Sequence, residues 1–527
     1  MDYFLISCCL PALALFALMR PRWRKIGPSL LDSFVIGLSL FAVGSILVWL
    51  EGLAHSETVM RIGVSAALSG ILGASLWGYL LAPRMVRLDF FADTGRLCAD
   101  SNDHFVISTG LAVSTLASLT LLVVVASHPH IRSLLFDAVV HGSGTLNQAR
   151  IIISSGSEGY FAPGYVKQFR DIIVPILCVA AILCDGTYRH RGLIYVALVV
   201  ALATTFISGQ RLVIIQYILC LGTSVLIDRL SRRPRLASLT VVIALLLLMA
   251  GTIGFMTKML GRLDVELSPV VEQQKLQARE NFVVAERERD EALRRAKVAA
   301  DRINAAVSSG LQNEQSRTEL EEASAEVAAA QEKVAELQKD EVPNGAGALL
   351  SSGIPVPILA AVAIAHRAVV AVPRENTISY PFWSRQVHAF GSGWLIDLAG
   401  ILPGTQKQLS NELSAINSGT RNTMGNSPLG LATDIFYNWG WLGVMIVPPL
   451  YALGFLWLDI ALTASRSALT SAAKIFMFFA IPLMYSPFMF VLYGGFVAVG
   501  VLCYAHLRRN GALSFLGIRP QTRQLSL

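Results

Sequence analysis

Charge is scarce in this sequence. Asp, Glu, Lys and Arg make up 15% of its 527 residues, apolar residues make up 54%, and the mean hydropathy is +0.56. A water-soluble domain of this length needs far more charge to cover its surface, so the composition is that of a polytopic membrane protein. Nucleotide chemistry leaves no mark either: there is no GxxxxGK[ST] loop and no kinase or hydrolase elbow. The energy for any reaction is therefore expected to arrive with the substrate. Metal ligands are thin. His128 and His130 in "SHPHIR", with His141 further on, are spaced without a Cys or acid beside them, so neither a metal site nor a cofactor is expected.

Cysteine is equally sparing. Cys8, Cys9, Cys178, Cys220 and Cys503 lie in apolar runs, and Cys98 and Cys184 fall on the cytoplasmic side of the orientation argued below, which excludes a disulfide framework. The net charge of +7 and the pI near 9.1 come without a nucleic-acid motif, and cytoplasmic loops account for much of the excess.

What the sequence has in abundance is apolar runs of membrane-spanning length. Eleven are expected: near 2–19, 28–50, 62–82, 105–127, 171–185, 193–208, 212–227, 237–257, 438–461, 470–486 and 488–506. The first has no basic flank before it, and "RPRWRK" follows it, so it reads as a retained helix rather than a signal peptide. Basic residues fill every second short loop: Arg20, Arg22, Arg24 and Lys25; Arg84, Arg87 and Arg96; Arg189 and Arg191; Arg229, Arg232, Arg233 and Arg235; Arg466 and Lys474; Arg508 and Arg509. Those loops are cytoplasmic by the positive-inside rule, which puts the N terminus outside and the C terminus inside. Segments 128–170 and 258–437 are then external.

Between Leu263 and Val342 the composition turns to Glu, Arg, Ala, Gln and Lys. Leu320, Ala323, Val327, Ala330, Val334 and Leu337 alternate three and four residues apart, as do Leu293, Ala296, Ala300, Ile303 and Val307, with "SSGLQN" at 308–313 between the two seams. The pattern predicts an antiparallel coiled-coil hairpin with arms roughly 45 to 55 Å long. It reads as a docking arm for a chain-length regulator or the growing product, or as a tolerated insertion. The apolar stretch 346–372 is interrupted by Pro355, Pro357, His366 and Arg367, which suits an interfacial or re-entrant helix better than a twelfth span. The expected organisation is 1–257 for the N-terminal membrane helices, 258–345 for the hairpin, 346–437 for an external loop with its interfacial helix, and 438–527 for the C-terminal membrane helices.

Four arginines stand beside apolar runs on the external side: Arg150, Arg211, Arg367 and Arg421. For any single one, the bland explanation is snorkelling to lipid phosphates. Together they suit a lipid-linked pyrophosphate, because guanidinium groups grip phosphate with paired donors and stay charged when partly desolvated. Candidate acids and bases on that side are Glu158, Asp171, His388, Asp397 and Asp434. Asp434 is the most pointed, since it stands with Asn438 at the mouth of an apolar run. It either polarises an acceptor hydroxyl or holds an arginine in position.

The block "SPLGLATDIFYNWGWLG" at 427–443 resembles a stretch of the O-antigen polymerases, the Wzy-type family, with Asp434, Tyr437, Asn438, Trp439, Gly440 and Gly443 in the matching positions. "FISGQRLVII" is similar to the turn in which that family's arginine opens a span, matched by Arg211. "HAFGSGWLIDLAGILPG" resembles its Gly-rich external segment, although Gly404 stands where a basic residue is expected after Pro403. The resemblance implies an all-α, GT-C-like membrane glycosyltransferase of the bacterial inner membrane, with undecaprenyl-pyrophosphate-linked glycans as substrates. Catalysis would fall to Asp434, Glu158 or His388, and pyrophosphate binding to Arg211, extended by sidedness to Arg150, Arg367 and Arg421. An O-antigen ligase acting on lipid A core has a similar layout. A non-catalytic scaffold built around the hairpin, and a transporter, are further readings. The last is disfavoured by the expectation that the spans hold few buried charges.

Overall fold

The computed structural model describes residues 2–19, 29–85, 101–141, 163–184, 191–207, 211–232, 288–289, 291–301, 314–339, 367–384, 394, 429–465, 467–483 and 494–510. Among them the chain is helical and contains no strand. In order the helices are α1 (Asp2–Met19), α2 (Leu30–Leu50), α3 (Ser56–Met85), α4 (Ser101–Ser127), α5 (Pro129–His141), α6 (Pro163–Gln168), α7 (Val174–Leu183), α8 (Arg191–Ile207), α9 (Arg211–Arg232), α10 (Glu314–Lys339), α11 (Val372–Ile378), α12 (Tyr380–Trp383), α13 (Leu431–Ala464), α14 (Ala468–Ala480) and α15 (Phe496–Arg509). π-helical turns at Phe169–Ile173 and Arg367–Ala371 lead into α7 and α11.

Four of the described helices are long and apolar enough to cross a membrane: Leu30–Leu50, Ser56–Leu81, Asp103–Ser127 and Leu431–Ala464. Shorter apolar helices cover Ile6–Met19, Arg191–Thr205, Val213–Ile227, Ala468–Ala480 and Phe496–Arg508. The expected run 237–257 lies outside the described residues.

The chain divides into two compact units, one of residues 1–261, 355–410 and 427–527, the other of residues 262–354 and 411–426. In the first, α13 packs along α3, which also contacts α1 and α2. α7 packs with α4, α9 and α14, and α14 continues to α15. Nearly every side chain of α7 and α14 is buried, as an all-round apolar helix requires when other helices enclose it.

The joints are made by small residues and orphaned backbone. Pro449 leaves the Met445 carbonyl without its helical donor, and Ser69 Oγ donates to that carbonyl at 2.7 Å. Trp77 Nε1 donates to the Pro449 carbonyl at 3.0 Å, and a Cβ on Gly73 would stand 2.6 Å from Pro449 Cα. Ser29 caps α2, its Oγ accepting from Leu31 N at 3.2 Å; Ser467 and Thr470 form a capping box on α14.

Charge inside this unit departs from expectation. Lys474, counted above among the cytoplasmic loop cations, lies within α14 with no exposed side-chain surface, and its Nζ is 2.7 Å from Asp459 Oδ1 on α13. Arg508 NH1 pairs with Asp103 Oδ1 at 2.7 Å, and Arg170 with Asp171, all of them buried. The expectation of few buried charges in the apolar helices is therefore corrected. Each of these pairs leaves a neutral unit in the interior, and so their sequence signal is weak.

In the second unit, residues 291–301 and α10 are helical, and Arg295 NH1 reaches Glu326 Oε2 at 3.2 Å. These two residues are equidistant in sequence from the Gly310–Leu311 step, the centre of the expected breaker. Ala323 is buried, and Val327 and Ala330 partly so, along the expected seam of α10. Along the first seam Ala296 and Ala300 are partly buried as expected, but Leu293 is 43% exposed and the buried positions are Ala292 and Ala299; Ile303 and Val307 lie outside the described residues.

Candidate functional site

Asp434 belongs to a helix that is broken on purpose by one glycine. Within α13, Gly440 adopts φ 63° and ψ −157°, a conformation open to glycine and closed to side chains with a Cβ. The break separates a short segment, Leu431 to Trp439, from the long apolar one that follows. A Cβ on Gly443 would overlap Trp439 Cβ and stand 3.2 Å from the Ile435 carbonyl oxygen, so the first segment folds back against the start of the second rather than extending it.

The depth of that short segment follows from its neighbours. A Cβ on Gly430 would overlap the ring of Phe41, and Phe41 lies about 13 Å below the Leu50 end of α2 at 1.5 Å per residue. The π-turn at Arg367–Ala371 enters alongside it, close enough that a Cβ on Gly44 would overlap the Val369 carbonyl. Val372, Pro373, Gly430 and Leu431 then share one cleft with Phe34, Phe41 and Pro482. Asn376 Nδ2 donates to Thr433 Oγ1 at 3.3 Å and ties the two entering segments together.

Asp434 stands in this arrangement at 5% exposure. Its Oδ2 accepts from Trp394 Nε1 at 2.8 Å, while Asn438 Nδ2 donates to the Asp434 carbonyl at 3.0 Å and lies 3.4 Å from Oδ1. Asn438 Oδ1 is buried and accepts no hydrogen bond among the described residues. Buried acceptors of that kind want a donor, and a hydroxyl is the smallest group that supplies one. Aromatic rings frame the pair: Trp394 meets Trp439 edge to face at 5.7 Å, and Phe436 meets Trp383 and Trp441. The residues that carry the family resemblance thus have separable jobs. Asp434 and Asn438 form the polar pair, Gly440 makes the break, and Gly443 passes where a Cβ would overlap Trp439.

A second polar cluster sits where α6 becomes α7. Arg170 Nε is 2.5 Å from Asp171 Oδ1 and its NH2 3.1 Å from Oδ2, and NH1 donates to the Thr204 carbonyl at 3.2 Å. Tyr217 Oη donates to the Arg170 carbonyl. Asp171, a sequence candidate for acid–base work, is thereby held as the partner of an arginine. Arg170 itself was not a candidate; its signal was the Arg-Asp step at the mouth of an apolar run.

Of the expected site residues, Arg150, Glu158, His388, Asp397 and Arg421 lie outside the described residues. Arg211 opens α9 and Arg367 opens a π-turn, each described in its backbone. Asp434 is therefore the expected catalytic residue whose surroundings are on view. His128 Nδ1 lies 2.8 Å from the Val124 carbonyl at the end of α4, a capping contact. Among the described residues no three His, Cys, Asp or Glu side chains come together as a metal site would need.

Comparison of the chain with protein-family models, curated proteins and solved structures gives no match.

Proposed function

We propose that this protein is a membrane polymerase of the O-antigen type, joining undecaprenyl-pyrophosphate-linked oligosaccharide repeats on the outer face of the bacterial inner membrane. In this reading eleven spans form a GT-C-like bundle with the N terminus in the periplasm and the C terminus in the cytoplasm. The observation that carries it is the buried Asp434 carboxylate, which accepts from Trp394 and lies beside the Asn438 amide in the short segment before the Gly440 break.

The chemistry is a glycosyl transfer. The acceptor hydroxyl of one lipid-linked repeat forms a C–O bond with the anomeric carbon of the donor glycan, and the bond from that carbon to the pyrophosphate breaks. Asp434 draws the proton from the acceptor hydroxyl as the bond forms, with Glu158 or His388 as the other candidates for that role. The departing undecaprenyl pyrophosphate carries its negative charge to Arg150, Arg211, Arg367 and Arg421, whose guanidinium groups stabilise the leaving group and so lower the barrier. Activated donor sugar supplies the driving force.

Deleting the gene in its host tests the reading on a gel of surface glycolipid. A polymerase leaves single-repeat glycolipid. Long lipid-linked chains with bare core would instead identify a ligase, and an unchanged pattern would exclude both.

A further inference from the structure

The proposed reaction makes no direct use of Arg170, yet three helices converge on it. A π-helical turn widens the backbone and leaves a carbonyl in want of a donor, which is why such turns collect at functional sites. Here the turn is Phe169–Ile173, the carbonyl is that of Arg170, and the donor is the hydroxyl of Tyr217 on α9. The guanidinium of the same residue grips the neighbouring Asp171 with two nitrogens and spends a third on the Thr204 carbonyl of α8. Arg170, Asp171, Thr204 and Tyr217 are all nine-tenths or more buried.

Thr204 and Tyr217 lie on opposite sides of one connection. Thr204 is a turn short of Ile207, where α8 ends, and Tyr217 is less than two turns beyond Arg211, where α9 begins. One residue therefore holds both arms of the helix pair whose tip carries Arg211, and it does so with charge-assisted or buried hydrogen bonds, the kind that fix geometry most firmly.

We infer that the Arg170–Asp171 pair is a positioning device for Arg211: by locking α8 and α9 to the π-turn, it sets the point at which the Arg211 guanidinium meets the donor's pyrophosphate. This inference rests on the reading of Arg211 as a pyrophosphate-binding residue. Arg170 touches no substrate and acts through the backbone it holds.

The test uses the full-length protein with Y217F, which removes the hydroxyl that donates to the Arg170 carbonyl, D171N, and R170K, which keeps the charge and loses the fork. Two quantities are read: the KM and kcat for a lipid-pyrophosphate donor, and the rate at which phenylglyoxal modifies Arg211, followed by mass spectrometry with and without inorganic pyrophosphate. A misplaced binding group raises KM for the donor about tenfold in each variant, changes kcat less, and erodes the protection of Arg211 by pyrophosphate. Lowered thermal stability with KM and protection both at wild-type values would overturn the inference and leave the pair a plain staple. Absence of pyrophosphate protection in the wild-type protein would overturn the reading of Arg211 as well, so the two failures are told apart.

Discussion

Trp394 Nε1 donates to Asp434 Oδ2 across 2.8 Å, joining residues forty positions apart in sequence through a carboxylate that is almost wholly buried. An indole fixes the rotamer of an acid without adding charge to it. Trp394→Phe keeps the ring and removes the donor. It is expected to lower kcat about tenfold with little change in KM or in folded yield, because the acid is left in place but poorly aimed. Steady-state rates on a lipid-linked donor check it.

Gly440 is required for its φ of 63°. Gly440→Ala should cost on the order of 1–3 kcal/mol in stability. Gly454, further along the same helix with nothing within 4 Å of a built Cβ, provides the contrast. Gly454→Ala should stabilise by up to about 1 kcal/mol, since an ordinary helical glycine only adds freedom to the unfolded chain. Thermal unfolding in detergent separates the two directions.

Lys474 and Asp459 form a pair with no exposed side-chain surface, and Ser29 Oγ donates to Asp459 Oδ2 at 2.9 Å while Lys474 Nζ donates to Thr463 Oγ1 at the same distance. Removing one partner strands a buried charge, so Lys474→Met or Asp459→Leu alone should destabilise by about 3–5 kcal/mol. The double substitution should recover most of that loss. A double variant as unstable as the sum of the singles would show that the pair is not a coupled unit.

Gly44 lets the Arg367–Ala371 turn lie against α2. Gly44→Ala should push that turn away and speed amide exchange across residues 367–378 by roughly tenfold or more, a loss of about 1.4 kcal/mol or greater in local stability. Gly500→Ala, where a Cβ meets nothing, should leave exchange there unchanged.

Matched shortening of the two helical arms at 291–301 and 314–339 by whole heptads is expected to shift the modal polymer length and leave single linkages intact. An unchanged length distribution would mark the insertion as tolerated.

Helices were legible in this sequence because apolar run length translates directly into helix length, as at 2–19 and 30–50. Their ends were less so. α13 begins at Leu431 rather than near 438, because a polar, glycine-broken piece looks like loop until its partner segment is known. The buried ion pairs were invisible for a related reason. Nothing near Lys474 in "TSAAKIFM" announces Asp459, and nothing near Arg508 announces Asp103. In the first hairpin seam Ala296 and Ala300 were legible and Leu293 was not, because Leu293 outranks Ala292 in hydrophobicity, whereas two arms that approach closely select alanine. At the candidate site, the acid, amide and glycine of the 427–443 block could be read from the sequence. Trp394 could not, since its role depends on a contact that only the fold creates.

The most direct test of the account combines purified protein, in detergent or nanodiscs, with a synthetic lipid-pyrophosphate repeat unit, and reads the products by mass spectrometry. The account predicts a ladder of multiples of the repeat with release of lipid pyrophosphate. With Asp434→Asn it predicts a rate lower by about a hundredfold or more at unchanged thermal stability. No ladder from the wild-type protein, or an equal ladder from Asp434→Asn, would contradict it.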